Sequence, residues 1–292
     1  MKIEPISKIC SGQDGAIFRD FLFRFDGAGV CHVYRMTDIL AGEDPAKDRT
    51  PIDIFTLDQT ERLCPHSNSV MFGCAYGSPT DEFPVLYTNI YTTYQKEANK
   101  RKGMCAVYRI TRNGTRFSSE LIQVLRIGFT EDPMLWHSSE ARKDVRPYGN
   151  FALDPGKEIL YAFTMRDESH TTRYFAFRVP KLTDGVISAD YGVREVVLEP
   201  SDILMKFDCP YHHFLQGACF HDGKIYSVEG FCNDPVNPPA VRILDPAQKR
   251  QIFYGDFTKL GYFDEAELID FHGDTCYYSD IAGNFFRLTF SE

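Results

Sequence analysis

Tryptophan is almost missing: a chain of 292 residues carries one, Trp136. A ligand pocket walled by several indoles is therefore excluded. No stretch approaches the roughly 18 apolar residues of a membrane-spanning helix, and the N-terminus, MKIEPISKIC, has no apolar core of a secretory signal. The expectation is a cytoplasmic protein with no membrane partner. The nine cysteines are odd in number, irregularly spaced and include no CxxC pair. That argues for free thiols in a reducing compartment and against a disulfide frame or a thiolate zinc site. Positive charge is in deficit, with 32 Lys+Arg against 41 Asp+Glu and a formal net charge of −9. A nucleic-acid backbone needs a basic face, so no nucleic-acid partner is expected. There is no GxSxG nucleophile elbow, no P-loop and no dinucleotide fingerprint.

Helical periodicity is scarce too. What is present is aromatic: 24 Phe and 16 Tyr, residues that favour strands. They fall in short runs separated by Gly, Pro, Asn and Asp turns. Five segments share a pattern. They begin at Asp14 (DGAIF), Asn68 (NSVMF), Asn150 (NFALD), Gln216 (QGACF) and Glu267 (ELIDF). Each is a polar residue, a small or apolar run, then a turn into a second strand. Third strands carry an aromatic-Arg-apolar triplet at Tyr34-Arg35-Met36, Tyr108-Arg109-Ile110, Phe177-Arg178-Val179 and Phe286-Arg287-Leu288, shifted to Val241-Arg242-Ile243 in the fourth segment. Fourth strands are expected at 52–57, 121–127, 193–198 and 251–254, and the last segment ends too early for one. A four-stranded unit cannot bury both faces alone, whereas radial stacking of such units can. The reading is an all-β chain, a single domain over 1–292 folded as a five-bladed β-propeller. The strand-like residues 2–9 supply the missing outer strand of the last blade and remove the open edge. A six-bladed ring and a β-sandwich are the alternatives.

In such a ring the innermost strands line a channel. The repeat then places Asp14, Asn68, Asn150, Gln216 and Glu267 at one register near its mouth, with Gln13, His66, Tyr148, His212, His213 and Glu265 around them. Asp14 and Glu267, on blades that become neighbours on closure, are the candidate acid/base pair, and His66 and His213 the candidate proton carriers. Asn68, Asn150, Gln216 and Tyr148 are candidate substrate contacts. Trp136 and His137 join them from the long loop 130–147, which is placed to cover one face. Carboxylate and amide oxygens are hard ligands, so Asp14, Asn68, Asn150 and Glu267 are a candidate site for Ca²⁺ or Mg²⁺. No other cofactor is indicated.

Several of these phrases resemble known families. The run Phe214 to Phe220 (FLQGACF), with Gly223-Lys-Ile-Tyr226 and Gly230, resembles the FTQG-type blade of five-bladed glutaminyl cyclotransferases. Tyr262-Phe-Asp-Glu265 is similar to their FGEG segment, with Ala266 where that family has its second glycine. The pocket tryptophans of that family are absent. The Asp14, Asn68, Asn150 and Glu267 set is similar in ligand type to gluconolactonase-like metal propellers, without their opening EGP motif. Five-bladed glycosidases resemble the architecture but carry carboxylates on three blades where this chain has Asp14, Asn68 and Asn150. His66-Ser-Asn68, Tyr148-Gly-Asn150 and Gln216-Gly resemble phrases of uncharacterised bacterial propeller proteins. The mouth residues lead to the expectation of an enzyme of hydrolase or lyase type acting on a small polar molecule or sugar derivative there, with Ca²⁺ or Mg²⁺ as the candidate cation. The alternatives are a non-catalytic propeller holding a glycan or peptide, and a scaffold using its outer surface. Oligomeric state is not legible.

Overall fold

The computed structural model describes all residues except 43, 64, 91–102, 128–146, 167–170, 212–214 and 291–292, and describes 147–150 and 164–166 by their backbone alone. Its strands form five sheets, so the ring has five blades and the six-bladed and sandwich alternatives fall away. The first blade runs outward through Gly15–Phe18, Phe21–Phe25, Val30–Arg35 and Asp53–Thr56. The second is Val70–Phe72, Leu86–Asn89, Met104–Asn113 and Arg116–Ile127, the third Pro147–Asp154, Ile159–Arg166, Thr171–Arg178 and Ile203–Pro210. The fourth is Leu215–His221, Lys224–Glu229, Ala240–Asp245 and Arg250–Asp256. The fifth takes Ala266–His272, Thr275–Asp280 and Asn284–Thr289, and its outer strand is the N-terminal Lys2–Lys8, paired antiparallel with Asn284–Thr289. The closure expected from the sequence is thus the one observed.

One strand assignment is corrected. The segment 193–198, expected as the outer strand of the third blade, leaves it: Arg194–Leu198 lies parallel to Arg116–Ile127 and extends the second blade to six strands together with Val186–Ile187. Ile203–Pro210 takes the vacated place. The reason is in the patterning. Residues 203–210 (ILMKFDCP) alternate, and Phe207 and Cys209 are buried between exposed Leu204, Lys206 and Asp208, the period of an edge strand with one packed face. Residues 194–198 bury only Leu198.

The core lies between blades. Phe21, Phe23, Phe55, Phe83 and Phe117 share one cluster, with Phe18 and Phe72 packed against it. Phe23 meets Phe72, Phe83 and Phe117 at centroid separations of 5.2, 5.5 and 5.6 Å, all edge-on, the geometry that aromatic quadrupoles favour. Two of the triplet arginines are paired with carboxylates: Arg109 clasps Asp81 with Nη2 to Oδ1 at 2.6 Å and Nε to Oδ2 at 2.9 Å, and Arg242 Nε reaches Glu229 at 2.6 Å. The Asn113-Gly-Thr115 turn is a two-residue hairpin with Gly114 at φ 62°, which glycine adopts without strain. All eight described cysteines are free thiols, and five of them are buried. No helix among the described residues is long and apolar enough to cross a membrane.

Candidate functional site at the channel mouth

Each innermost strand starts on the face where its neighbouring second strand ends, so the residues just before or at those starts gather at one mouth. Asp14 immediately precedes Gly15–Phe18, and Gln216 and Glu267 are the second residues of their strands. The chain brings the first, fourth and fifth blades together here. Gln13 Nε2 donates to Glu267 Oε1 at 3.3 Å, and Gln216 Nε2 donates to Glu265 Oε1. A Cβ on Gly217 would overlap the Glu267 carbonyl and stand 2.6 Å from Asp14 Oδ1; glycine there lets the three blades meet.

Two depths can be told apart. Below the rim, Asp14 and Glu267 are sealed, with 0% and 1% exposure, and Arg24 from the second strand of the first blade is sealed with them. Arg24 Nη2 donates to the Gly12 carbonyl at 2.8 Å and to the Asp280 carbonyl at 2.9 Å. Asp14 Oδ2 accepts the Val70 N–H at 2.8 Å, tying the first blade to the second. Arg24 Nε and Nη1, Asp14 Oδ1 and Glu267 Oε2 are buried without a hydrogen-bond partner among the described residues. Burial pushes both carboxyls well above the usual carboxylate range; the Val70 and Gly15 N–H groups resist this at Asp14, while the neighbouring Glu265 adds to it at Glu267. Burial also lowers the Arg24 guanidinium, and Glu267 is the charge that most opposes it.

At the rim itself stands Glu265. It is half-buried, and burial lifts its carboxyl to about 7. Its backbone N–H donates to Cys232 Sγ at 3.1 Å, an exposed thiol in the loop after the second strand of the fourth blade. That loop also joins the rim through Asn233 N–H to the Phe263 carbonyl at 3.1 Å, and the Phe263 ring is 49% exposed. Gly230, at φ 99°, starts the loop, and a Cβ there would overlap the Pro238 carbonyl. His66 is half-buried, and burial holds its imidazole below the ordinary histidine value. A Cβ on Gly27 would lie 3.6 Å from His66 Nδ1 and 3.9 Å from Gln13 Cγ, so His66 and Gln13 flank the same point of the rim.

The sequence-predicted residues divide accordingly. Asp14, Glu267 and Gln216 come together, and His66 stands beside Gln13. Asn68 is turned to its own blade, where its Oδ1 accepts from Asn89 Nδ2. Tyr148 and Asn150 lie on the innermost strand of the third blade with only their backbone described, and Trp136, His137, His212 and His213 fall outside the described residues. Glu265 was expected beside the register residues but was given no role there, and Arg24 was not among the expected site residues. Arg24 had a visible signal, a charge inside the aromatic run FLFRF.

Of the residues expected to hold Ca²⁺ or Mg²⁺, Asp14, Asn68 and Glu267 are described with their side chains and Asn150 by its backbone alone. Arg24 already places positive charge beside Asp14 and Glu267, Asp14 Oδ2 is taken by a backbone N–H and Asn68 Oδ1 by Asn89. No three His, Cys, Asp or Glu side chains among the described residues converge to hold a metal ion.

Fold and site together define a five-bladed propeller with a carboxylate-lined channel mouth. No family model and no curated protein matches the chain. Among solved structures it is similar to the glutaminyl cyclase of Myxococcus xanthus, at 10% identity over 98% of this chain and 93% of that one, with a TM-score of 0.49. It is also similar to BamB from Moraxella catarrhalis, at 10% identity over 94% of this chain and 71% of that one, TM-score 0.34, and to the Dos1 propeller, at 8% identity over 95% and 59%, TM-score 0.37. The propeller assignment rests on the strand pairing of the chain itself.

Proposed function

We propose that the protein is an enzyme of hydrolase or lyase type that carries out proton-transfer chemistry on a small polar molecule or sugar derivative at the channel mouth. The observation that carries this reading is the pairing of an accessible, half-buried carboxyl with a buried amide across two blades, Glu265 with Gln216. Glu265 takes the acid/base role: near neutral pH both of its forms are populated, so it can give a proton to a leaving oxygen or accept one from the substrate or a water. Gln216 orients that carboxyl, and Gln13 and His66 bind polar substrate groups from the side of the first and second blades. Asp14, Glu267 and Arg24 lie beneath and set the local field. The exposed Phe263 ring, two residues before Glu265, is suited to stack on the apolar face of a sugar.

The test is a substrate panel of glycosides, sugar lactones, uronic acids and N-terminal glutaminyl peptides, read on wild type and on Glu265→Gln. Turnover of one class that drops by at least about 100-fold in the variant, with an unchanged thermal midpoint, is the expected result. Wild-type turnover in Glu265→Gln would remove the assignment. The exposed aromatic favours a second reading, a propeller that holds a glycan without turning it over. There a panel sugar binds, Phe263→Ala abolishes binding and Glu265→Gln does not.

A further inference from the structure

A cleft of about 410 Å³ opens on the outer flank of the seam where the N-terminal strand passes the first blade, within the size range of small-ligand sites. It shares no lining residue with the rim, although residues 10 and 11 line it and residues 13 and 14 continue into the mouth. Its apolar side includes Pro51 and Ile54, and Ile54 is 51% exposed on an outer strand. Its polar side is cationic in a protein whose net charge is −9: among the described lining residues, Lys8 and Arg49 face one carboxylate, Asp48.

Arg49 is held in position before any ligand arrives. Its N–H donates to the Lys8 carbonyl at 2.8 Å, its Nε to Ser7 Oγ at 2.9 Å and its Nη2 to the Asp44 carbonyl at 3.3 Å. Those bonds leave Nη1 to a ligand. Gly42 is part of the device, since a Cβ there would overlap the guanidinium. Lys8 is lightly engaged: Nζ stands 3.8 Å from Asp48, and the two side chains are 40% and 78% exposed. An exposed pair of that kind contributes little, so Lys8 can turn to a better anion. Tyr34 accepts the Cys10 N–H at 3.0 Å and fixes the inner wall.

We propose that this cleft is a second binding site, for a small organic anion whose carboxylate or phosphate is held by Arg49 and Lys8 and whose apolar body lies against Pro51 and Ile54. A pre-positioned guanidinium favours a planar or multidentate anion over a halide, and the apolar side favours an anion with a hydrocarbon body over inorganic phosphate. The site is independent of the chemistry proposed at the mouth.

The experiment titrates the full chain with phenyl phosphate, benzoate, inorganic phosphate and neutral benzyl alcohol, following heat of binding and the thermal midpoint. Phenyl phosphate or benzoate should bind saturably and more tightly than inorganic phosphate, and benzyl alcohol should not bind. Arg49→Gln should weaken binding by at least about tenfold, the worth of one charge-assisted contact, and Lys8→Gln and Ile54→Asp should weaken it as well. The last two change exposed side chains and keep the test decisive if Arg49→Gln fails to fold. The bound anion should also slow alkylation of Cys10, which lines the cleft, and leave the exposed Cys232 unaffected. Absence of saturable binding of any of the anions, equal affinity in Lys8→Gln and Ile54→Asp, or protection of Cys232 in place of Cys10 would overturn the proposal.

Discussion

The interface between the first and second blades and the seam between the fifth and first blades perform the same task with different chemistry. The first is a nest of phenylalanines, Phe18, Phe21, Phe23, Phe72, Phe83 and Phe117, packed edge to face. The second has an aliphatic and aromatic cluster of its own around Ile17, Leu22, Leu268 and Phe285, but it also buries Asp14, Arg24, Glu267 and Asp280. Apolar packing is non-directional and tolerates small shifts. A buried charge tolerates none, because leaving it unpaired is costly. The ring has to close in one register, where the strand Lys2–Lys8 joins the last blade. Directional groups cross both places, since Asp14 and Asp53 accept the Val70 and Phe117 N–H groups between the first and second blades. The larger buried charge group at the seam, Asp14, Arg24, Glu267 and Asp280, is nonetheless consistent with a seam that encodes register while the aromatic interface supplies most of the adhesion.

The largest effect should come from the adhesive side. Phe23→Ala removes a ring with 0% exposure that touches four others, and should cost about 3 to 5 kcal/mol of unfolding free energy in urea titration. A cost below that of an Ile to Val change would break the comparison. Arg24→Met comes next. Removing one member of a buried charge group costs about 3 kcal/mol, here with the Gly12 and Asp280 carbonyls left without their donor. The carboxyls beside it are already pushed upward by burial and rise further without the cation. A group with a raised native pKa contributes stability that is present at low pH and lost as pH rises, so the variant should recover toward wild type on acidification. Adding Glu267→Gln to Arg24→Met should return part of the loss at pH 7; contacting phenylalanines also couple, but a second truncation in that nest should not restore stability lost to the first.

Much of this contrast could be read in the chain. The aromatic alternation of the blades and the spare strand at residues 2–9 were legible because period-2 burial leaves a local trace. The third blade was misread at 193–198, since an apolar run does not say which edge it will join and the parallel pairing with Arg116–Ile127 is decided in space. The register residues led to Asp14, Gln216 and Glu267, yet register alone does not reveal depth. Whether a carboxyl is sealed or meets solvent depends on neighbouring blades, so Glu265, two residues before the register position and braced by Gln216 of another blade, was placed near the mouth while the acid/base role went to Glu267. Arg24 was hidden differently: its charge was conspicuous in FLFRF, but its partners are the backbone carbonyls of residues 12 and 280, which no motif marks.

The smallest and sharpest difference should appear in pH dependence. Asp270, on the innermost strand of the fifth blade, crosses the seam: its Oδ2 accepts the Ile17 N–H at 2.6 Å and its Oδ1 accepts its neighbour Phe271's N–H at 2.8 Å. Burial raises its carboxyl to about 7 against those two donors. The unfolded chain gives up that proton near the ordinary carboxylate value, so between there and about 7 the folded state binds more protons. Its contribution to stability is complete below that window and is lost as pH rises through it. On the second blade the sign is opposite. Asp81 is held below the usual range chiefly by its hydrogen bonds from Arg109, so its contribution is present at neutral pH and is lost as pH falls. Asp270→Asn keeps an amide oxygen for Ile17 and should flatten the decline of the thermal midpoint between pH 5 and pH 8. Asp81→Asn should leave that limb unchanged and lower the midpoint at pH 7 more than at pH 3. Parallel profiles for Asp270→Asn and wild type from pH 5 to 8 would mean that the Asp270 carboxyl is ionised and hydrated in the folded ring. The seam would then close by packing, as the phenylalanine interface does.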